Sequence, residues 1–227
     1  RILKDVKEVI PEDAVIFTDV GWNKNGVAQE FDITIPGTIH HSSGLATMGF
    51  GPSAVLGGKV AAPDKIVINL TGDGGFGINP SCLATAVEHG IACTWVVMNN
   101  SAFGTIAGLE NANYKTKFGT VFYKPDGERY TICWADVAKS YGIESICVNS
   151  AEEFKPALEK AIAANKEGRP FLVEAPMENI VVPTPGCWNI NDIYTPNALV
   201  KEGKLVKKEN GRYVAPSHSK SHDGCLN

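Results

Sequence analysis

Two short polar segments stand where apolar runs end, and their residue types suit one kind of chemistry. Gly72-Asp73-Gly74-Gly75-Phe76 follows Ile66-Val67-Ile68-Asn69-Leu70, and Asn99-Asn100 follows Thr94-Trp95-Val96-Val97-Met98. Both runs have the length and composition of buried strands. Between them Pro80 to His89 reads as a helix, with Pro near its start and Gly90 just past its end. A strand–helix–strand crossover is right-handed and makes the strands parallel neighbours. Their carboxyl ends then lie together, where open α/β sheets bind ligands. The Asp73 carboxylate and the Asn100 amide oxygen are hard oxygen ligands, suited to Mg²⁺ or Ca²⁺. Gly74 and Gly75 block nothing, and their N–H groups can face an anion. A divalent ion beside an anion cradle suggests a bound diphosphate. Gly-Asp-Gly alone is also an ordinary turn. Its specificity comes from Asn-Asn, which ends 27 residues after Asp73 on the matching element.

The elements that must position these groups alternate along the chain. Leu3 to Ile10, Asn25 to Phe31, Pro52 to Val60, Trp134 to Tyr141 and Ser150 to Asn165 read as further helices. Ser150 opens the last of them with a capping-box pattern, Ser-Ala-Glu-Glu. Ala14 to Thr18, Gly37 to His41, Ile143 to Val148 and Phe171 to Glu174 read as strands. The strand interiors are nearly continuous apolar runs. This pattern predicts an α/β fold, a parallel sheet with helices on both faces. Past Pro183 it fades into turn chemistry and a polar end, so the expected organisation is one domain over 1–182 and an irregular extended tail over 183–227.

With these residues in place the chain resembles the thiamine-diphosphate-dependent enzymes, specifically the diphosphate-binding domain of the acetohydroxyacid synthase, pyruvate oxidase and decarboxylase type. The family motif begins with Gly-Asp-Gly and ends with Asn-Asn. Ser43-Gly44-Leu45-Ala46-Thr47-Met48-Gly49-Phe50-Gly51 resembles the segment that holds the aminopyrimidine ring, and Asp19-Val20-Gly21-Trp22-Asn23 resembles the loop that meets the outer phosphate. The resemblance covers roughly 1–180. It implies thiamine diphosphate and Mg²⁺ as cofactors. Asp73 and Asn100 would ligate the metal by side chain and Ala102 by its carbonyl. Gly74, Gly75, Gly21, Trp22 and Asn23 would contact the diphosphate through the backbone. The carbonyl of Ala46 and the N–H of Met48 would hold the pyrimidine. Met48, by itself ordinary core filler, would sit under the bend between the cofactor's rings. His40 or His41 would act as acid or base on a substrate intermediate; the alternative is one packed and one exposed histidine. Asn99 is expected to turn inward, and Gly104 to permit a tight turn.

The same resemblance implies a missing part. The Glu that activates the pyrimidine ring belongs to a separate pyrimidine-binding domain, which this sequence does not contain. The expected partners are therefore that domain, on another chain or in a longer product, and a small carbonyl substrate, within an oligomer. The implied reaction makes or breaks a carbon–carbon bond beside a carbonyl, as a synthase, decarboxylase or lyase. Two alternatives stay open: a β subunit of a 2-oxoacid oxidoreductase, and a non-catalytic Mg-nucleotide or regulatory module.

Composition narrows the rest. With 21 Lys and Arg against 25 Asp and Glu the formal charge is −4, which argues against general nucleic-acid binding. No apolar run reaches a membrane span. The chain opens on Arg1-Ile2-Leu3-Lys4, which is neither a signal peptide nor an initiator Met, so the expected location is the cytoplasm and the start is read as processed or internal to a longer product. Six cysteines, at 82, 93, 133, 147, 187 and 225, form no C-x-x-C pair. They are expected to be single buried thiols, without the grouped spacing of a zinc or iron–sulfur site.

Overall fold

A computed structural model describes residues 1–179, with 200, 202–203, 206–207, 209 and 213–214 beyond them. Six parallel strands form one sheet in the order β2-β1-β3-β4-β6-β5. They are β1 (Val15–Thr18), β2 (Ile39–His41), β3 (Val67–Gly72), β4 (Thr94–Asn99), β5 (Glu144–Cys147) and β6 (Phe171–Pro176). The helices are α1 (Ile2–Val9), α2 (Trp22–Glu30), α3 (Phe50–Ala61), α4 (Asp73–Phe76), α5 (Cys82–Glu88), α6 (Gly104–Tyr114), α7 (Trp134–Ser140) and α8 (Ala151–Lys166). The α/β architecture expected from the alternation is therefore present, and all six expected strands are found.

Period-two side-chain alternation explains the two cores. Ile68, Leu70, Val96 and Val173 face one side and pack with Val6, Val27, Phe154, Leu158 and Ile162. Val67, Trp95, Val97 and Leu172 face the other and pack with Val55, Phe76, Leu83 and Trp134. Phe154, Leu158 and Ile162 recur at the helical spacing that lays one stripe of α8 on the sheet. Fully burying each such side chain contributes about 2 kcal/mol. Trp95 has no exposed surface, and its indole N–H donates to the Pro52 carbonyl at 3.0 Å. That bond removes the cost of burying the ring's polar atom.

Several boundaries depart from expectation. Helix α2 begins at Trp22, three residues early, so Trp22 and Asn23 are its first turn and not a loop. Gly21 caps it with φ 115°, a conformation that only glycine adopts without strain. The glycine-rich stretch after Gly72 closes into the single turn α4. Helix α6 was not legible: Gly104, Thr105, Gly108, Asn111 and Asn113 are weak helix formers. The capping box at Ser150 is only half made. The Ser150 side chain caps nothing, and Glu153 Oε2 accepts from the Asn149 N–H at 2.8 Å, one residue earlier than the pattern requires.

Residues 1–107 and 117–181 form the compact unit that carries the sheet. A second unit takes residues 108–116 and the segment from 182 onward. Most of the region expected as an irregular tail lies outside the described residues; within it β7 (Val206–Lys207) pairs antiparallel with β8 (Tyr213–Val214). Cys187 and Cys225 also lie outside the described residues. Among the described residues no helix is long and apolar enough to cross a membrane.

Candidate functional site

The parallel pairing of β3 with β4 sets Gly72 opposite Met98, so the residues that follow each strand emerge side by side. Asp73 starts α4 directly after β3 and is 4% exposed. One end of the Asn100 side-chain amide lies 2.9 Å from Asp73 Oδ1 and 3.0 Å from the Ala102 carbonyl oxygen, and the other end lies 3.1 Å from Asn179 Oδ1. With its N–H inward the amide donates to the Asp73 and Ala102 oxygens. With its oxygen inward it adds a third oxygen ligand, the orientation that a bound cation would draw. Octahedral Mg²⁺ with ligands at about 2.1 Å spaces adjacent oxygens about 3.0 Å apart. The donor set therefore fits a hard divalent cation.

Electrostatics point the same way. Burial pushes the Asp73 carboxyl up to about 6, against backbone N–H groups of Asn100, Ala102 and Gly74 that pull it down. Ser101, between Asn100 and Ala102, has φ 51°, a conformation costly for a residue with a Cβ. Arg129 donates through Nη2 to the Asn100 carbonyl at 2.7 Å and to the Ser101 carbonyl at 3.4 Å, and so props this strained loop from outside. Asn99 does turn inward. Its Nδ2 donates to Glu174 Oε1 at 2.7 Å and to the Ile132 carbonyl at 2.9 Å.

The turn after β1 approaches the same place. Asp19 is fully buried; its carboxylate accepts the N–H of Gly49 at 3.2 Å and of Gly51 at 2.9 Å. This carboxylate ties the segment around Met48 to the end of β1, a role its sequence position did not advertise. Met48 and the Phe103 ring close on Gly74: an added Cβ would come 2.7 Å from the ring and 3.4 Å from Met48 Cε. One on Gly75 would come 2.3 Å from Asp19 Oδ1. Both glycines thus have a packing reason to be glycine, beside any role toward an anion. Ala46 has φ 50°, a second non-glycine residue in the left-handed region.

Gly104 does not make the expected tight turn. It opens α6, and a Cβ there would lie 2.6 Å from Asn100 Nδ2, so glycine lets the helix approach the amide. Next to it, the buried Oγ1 of Thr105 has no hydrogen-bond partner and lies near Gly21, 3.3 Å from where a Cβ would stand. The buried Asn23 Oδ1 is also without a partner. His40 and His41 lie on the edge strand β2, separated from β3 by β1. Both are exposed; the His40 ring stacks on Phe17 at 4.9 Å and bonds the Gly37 carbonyl at 2.9 Å. The expected split into one packed and one exposed histidine is not what the structure shows.

A parallel α/β sheet with a buried carboxylate and a glycine-rich turn at adjacent strand ends defines a class, the open α/β domains that bind ligands at the carboxyl edge of the sheet. Residues 19–175 match the family model described as thiamine pyrophosphate enzyme, C-terminal TPP binding domain, and the chain belongs to that family. It is 34% identical over 194 residues to the "Probable acetolactate synthase large subunit" of Methanocaldococcus jannaschii, across 82% of this chain and 32% of that protein. It is 28% identical over 209 residues to the "Sulfoacetaldehyde acetyltransferase" of Castellaniella defragrans, across 92% of this chain and 32% of that protein. A thiamine diphosphate-dependent 4-hydroxybenzoylformate decarboxylase of Rhodococcus jostii shares the fold, with TM-score 0.67 and 24% identity over 78% of this chain and 32% of that one. The chain thus spans about a third of the length of these relatives.

Proposed function

We propose that this domain holds the diphosphate end of thiamine diphosphate through a Mg²⁺ ion, within an enzyme that makes or breaks a carbon–carbon bond beside a carbonyl. The observation that carries the reading is the convergence of the Asp73 carboxylate, the Asn100 side-chain amide and the Ala102 carbonyl, with the amide about 3 Å from each of the other two. Asp73 supplies the anionic ligand, Asn100 a neutral side-chain oxygen and Ala102 a main-chain oxygen. Each is fixed before the ion arrives: Asp73 by the end of β3, Asn100 by Asn179, and Ala102 by the strained turn at Ser101. The first turn of α2, with Trp22 and Asn23, offers backbone N–H groups to the phosphate. Thr105 Oγ1, without a partner, supports a place for α6 in the same cradle.

When bound, the cofactor would supply a nucleophilic ring carbon that adds to a carbonyl and a cationic ring that accepts the electron pair of the bond that breaks. The chain's own part is orientation. Asp19 locks the segment from Ala46 to Gly51 over the glycine-rich turn, with Met48 against Phe103 and Gly74. Ala46 and Met48 would present a carbonyl and an N–H to the pyrimidine. His40 and His41 stay candidates for proton transfer only if a substrate reaches β2.

A pyrimidine-binding domain, from another chain or from the remainder of a longer one, would complete the site. Leu45 is 95% exposed, and Ile78, packed near Gly49, is 59% exposed. Exposed apolar side chains on the rim of a polar site suit a domain interface. The chain alone is therefore expected to be inactive on 2-oxoacids. Calorimetry with thiamine diphosphate tests the core of the reading. Binding should need Mg²⁺; absence of binding in its presence, or equal binding in a chelator, would overturn it.

A further inference from the structure

Two cysteines that the sequence separates are brought together at the far edge of the sheet. Cys147 ends β5 and is registered with Glu174 on β6, so their side chains are cross-strand neighbours. Cys133 stands at the N-cap of α7. The two Sγ atoms and a Glu174 carboxylate oxygen all lie within 4.8 Å of one another. Their spacing along the chain, 133 and 147, hides this from any search for C-x-x-C patterns. The single buried thiols expected from the sequence are Cys82 and Cys93, which sit in the apolar core; Cys133 is exposed and Cys147 half-buried.

We propose that Cys133, Cys147 and Glu174 form a binding site for a thiophilic divalent cation of the zinc class, separate from the Asp73 site. The donor set is two thiols and one carboxylate oxygen, soft enough to select Zn²⁺ over Mg²⁺. Glu174 is 1% exposed and rigidly held: Oε1 accepts from Asn99 Nδ2 and Oε2 from the Ala135 N–H at 2.9 Å. Each oxygen keeps a further lone pair. The cysteines can then adjust by rotation about one bond each, and must close to about 3.7 Å to fit tetrahedral ligands at about 2.3 Å. The fourth position opens on the solvent side, at Cys133. Asp136, which bonds the Cys133 thiol, and Lys139, which pairs with Asp136, flank it.

The charges favour a metal over a disulfide. Burial and the nearby Glu174 carboxylate push the Cys147 thiol up to about 11, and Cys133 is raised as well. Thiol–disulfide exchange needs a thiolate, so these neighbours slow it. A divalent cation reverses the effect. Two metal–sulfur bonds and one metal–oxygen bond form, and two thiol protons leave to solvent.

The test uses the fully reduced 227-residue chain and Zn²⁺ alone, with chelator competition for affinity and a pH indicator for proton release. One Zn²⁺ should bind per chain with release of about two protons at neutral pH. Cys133→Ser and Cys147→Ser should each weaken binding by at least about 100-fold, close to 3 kcal/mol. Ser is a good N-cap, so the Cys133 variant should fold and give the decisive number. Cys187→Ser, Cys225→Ser and Asp73→Asn should leave Zn²⁺ affinity unchanged. Wild-type affinity in Cys133→Ser, loss that follows Cys187, Cys225 or Asp73 instead, or no binding to the reduced chain would each overturn the proposal.

Discussion

Asp19 and Asp73 follow neighbouring strands at one end of the sheet, and both are buried, yet their surroundings differ. Asp19 meets N–H groups from Gly49 and Gly51, so its charge is answered by the fold itself. Asp73 meets the Asn100 side-chain amide at 2.9 Å and several backbone N–H groups, yet burial still raises its proton affinity. A carboxylate closed in by donors is a structural tie. One whose proton affinity stays raised despite its donors gains from a positive partner. The contrast matters because burial alone does not separate the two residues; the groups around each carboxylate do.

Exchanging each carboxylate for its amide separates the two roles. Asp73→Asn should weaken Mg²⁺-dependent binding of thiamine diphosphate by at least about 100-fold, close to 3 kcal/mol. Calorimetry measures it, and an affinity within a few-fold of wild type would erase the distinction. Asp19→Asn should instead destabilise the fold. One face of the new amide would present its own N–H to the Gly49 or Gly51 N–H, at a cost of about 2 kcal/mol. Chemical denaturation in the absence of ligand reads this directly. If Asp19→Asn left stability untouched, its bonds would be dispensable.

A smaller change probes the room around the amide. Gly104→Ala places a Cβ 2.6 Å from Asn100 Nδ2 and should displace that side chain without removing any ligand. The expected loss is about 10-fold in cofactor affinity, or about 1.4 kcal/mol. An unchanged affinity would mean that Asn100 can shift freely and is no fixed ligand.

The strands, their parallel direction and the closeness of Asp73 to Asn100 were legible because long apolar runs and turn residues act locally. Helix α6 was not, since its formation overrides the poor propensity of Gly104, Thr105 and Asn111. Asp19 was hidden for another reason. Its partners are backbone N–H groups 30 and 32 residues away, and backbone donors leave no trace in residue type. Gly74 and Gly75 were readable as open backbone, but the ring of Phe103 and the carboxylate of Asp19 that press on them were not. Cys133 and Cys147 meet only because β5 ends beside β6 and the start of α7. Local chemistry could be read along the chain; crowding and long-range donors required the fold.

The finest comparison is between the ionised and neutral forms of Asp73 itself. Its carboxyl is raised from an ordinary 3.8 to about 6 in the folded, metal-free chain. A group whose folded value is raised binds its proton more tightly in the folded state. Its contribution to stability is therefore full below pH 4 and is lost as pH rises through about 6. Each tenfold gain in proton affinity corresponds to about 1.4 kcal/mol, and solvent relaxation at a partly buried site reduces the sum, so a loss of about 1–2 kcal/mol is expected across that window. Denaturation midpoints between about pH 4 and pH 7, with no metal, should show this decline against the background of the other carboxylates. Asp73→Asn removes the titrating proton and should flatten that part of the profile, leaving the variant more stable than wild type at neutral pH. Mg²⁺ with thiamine diphosphate should restore the wild-type chain at neutral pH and leave the variant unchanged. Parallel profiles for the two proteins, with or without ligand, would place Asp73 with Asp19 as a carboxylate already answered by the fold.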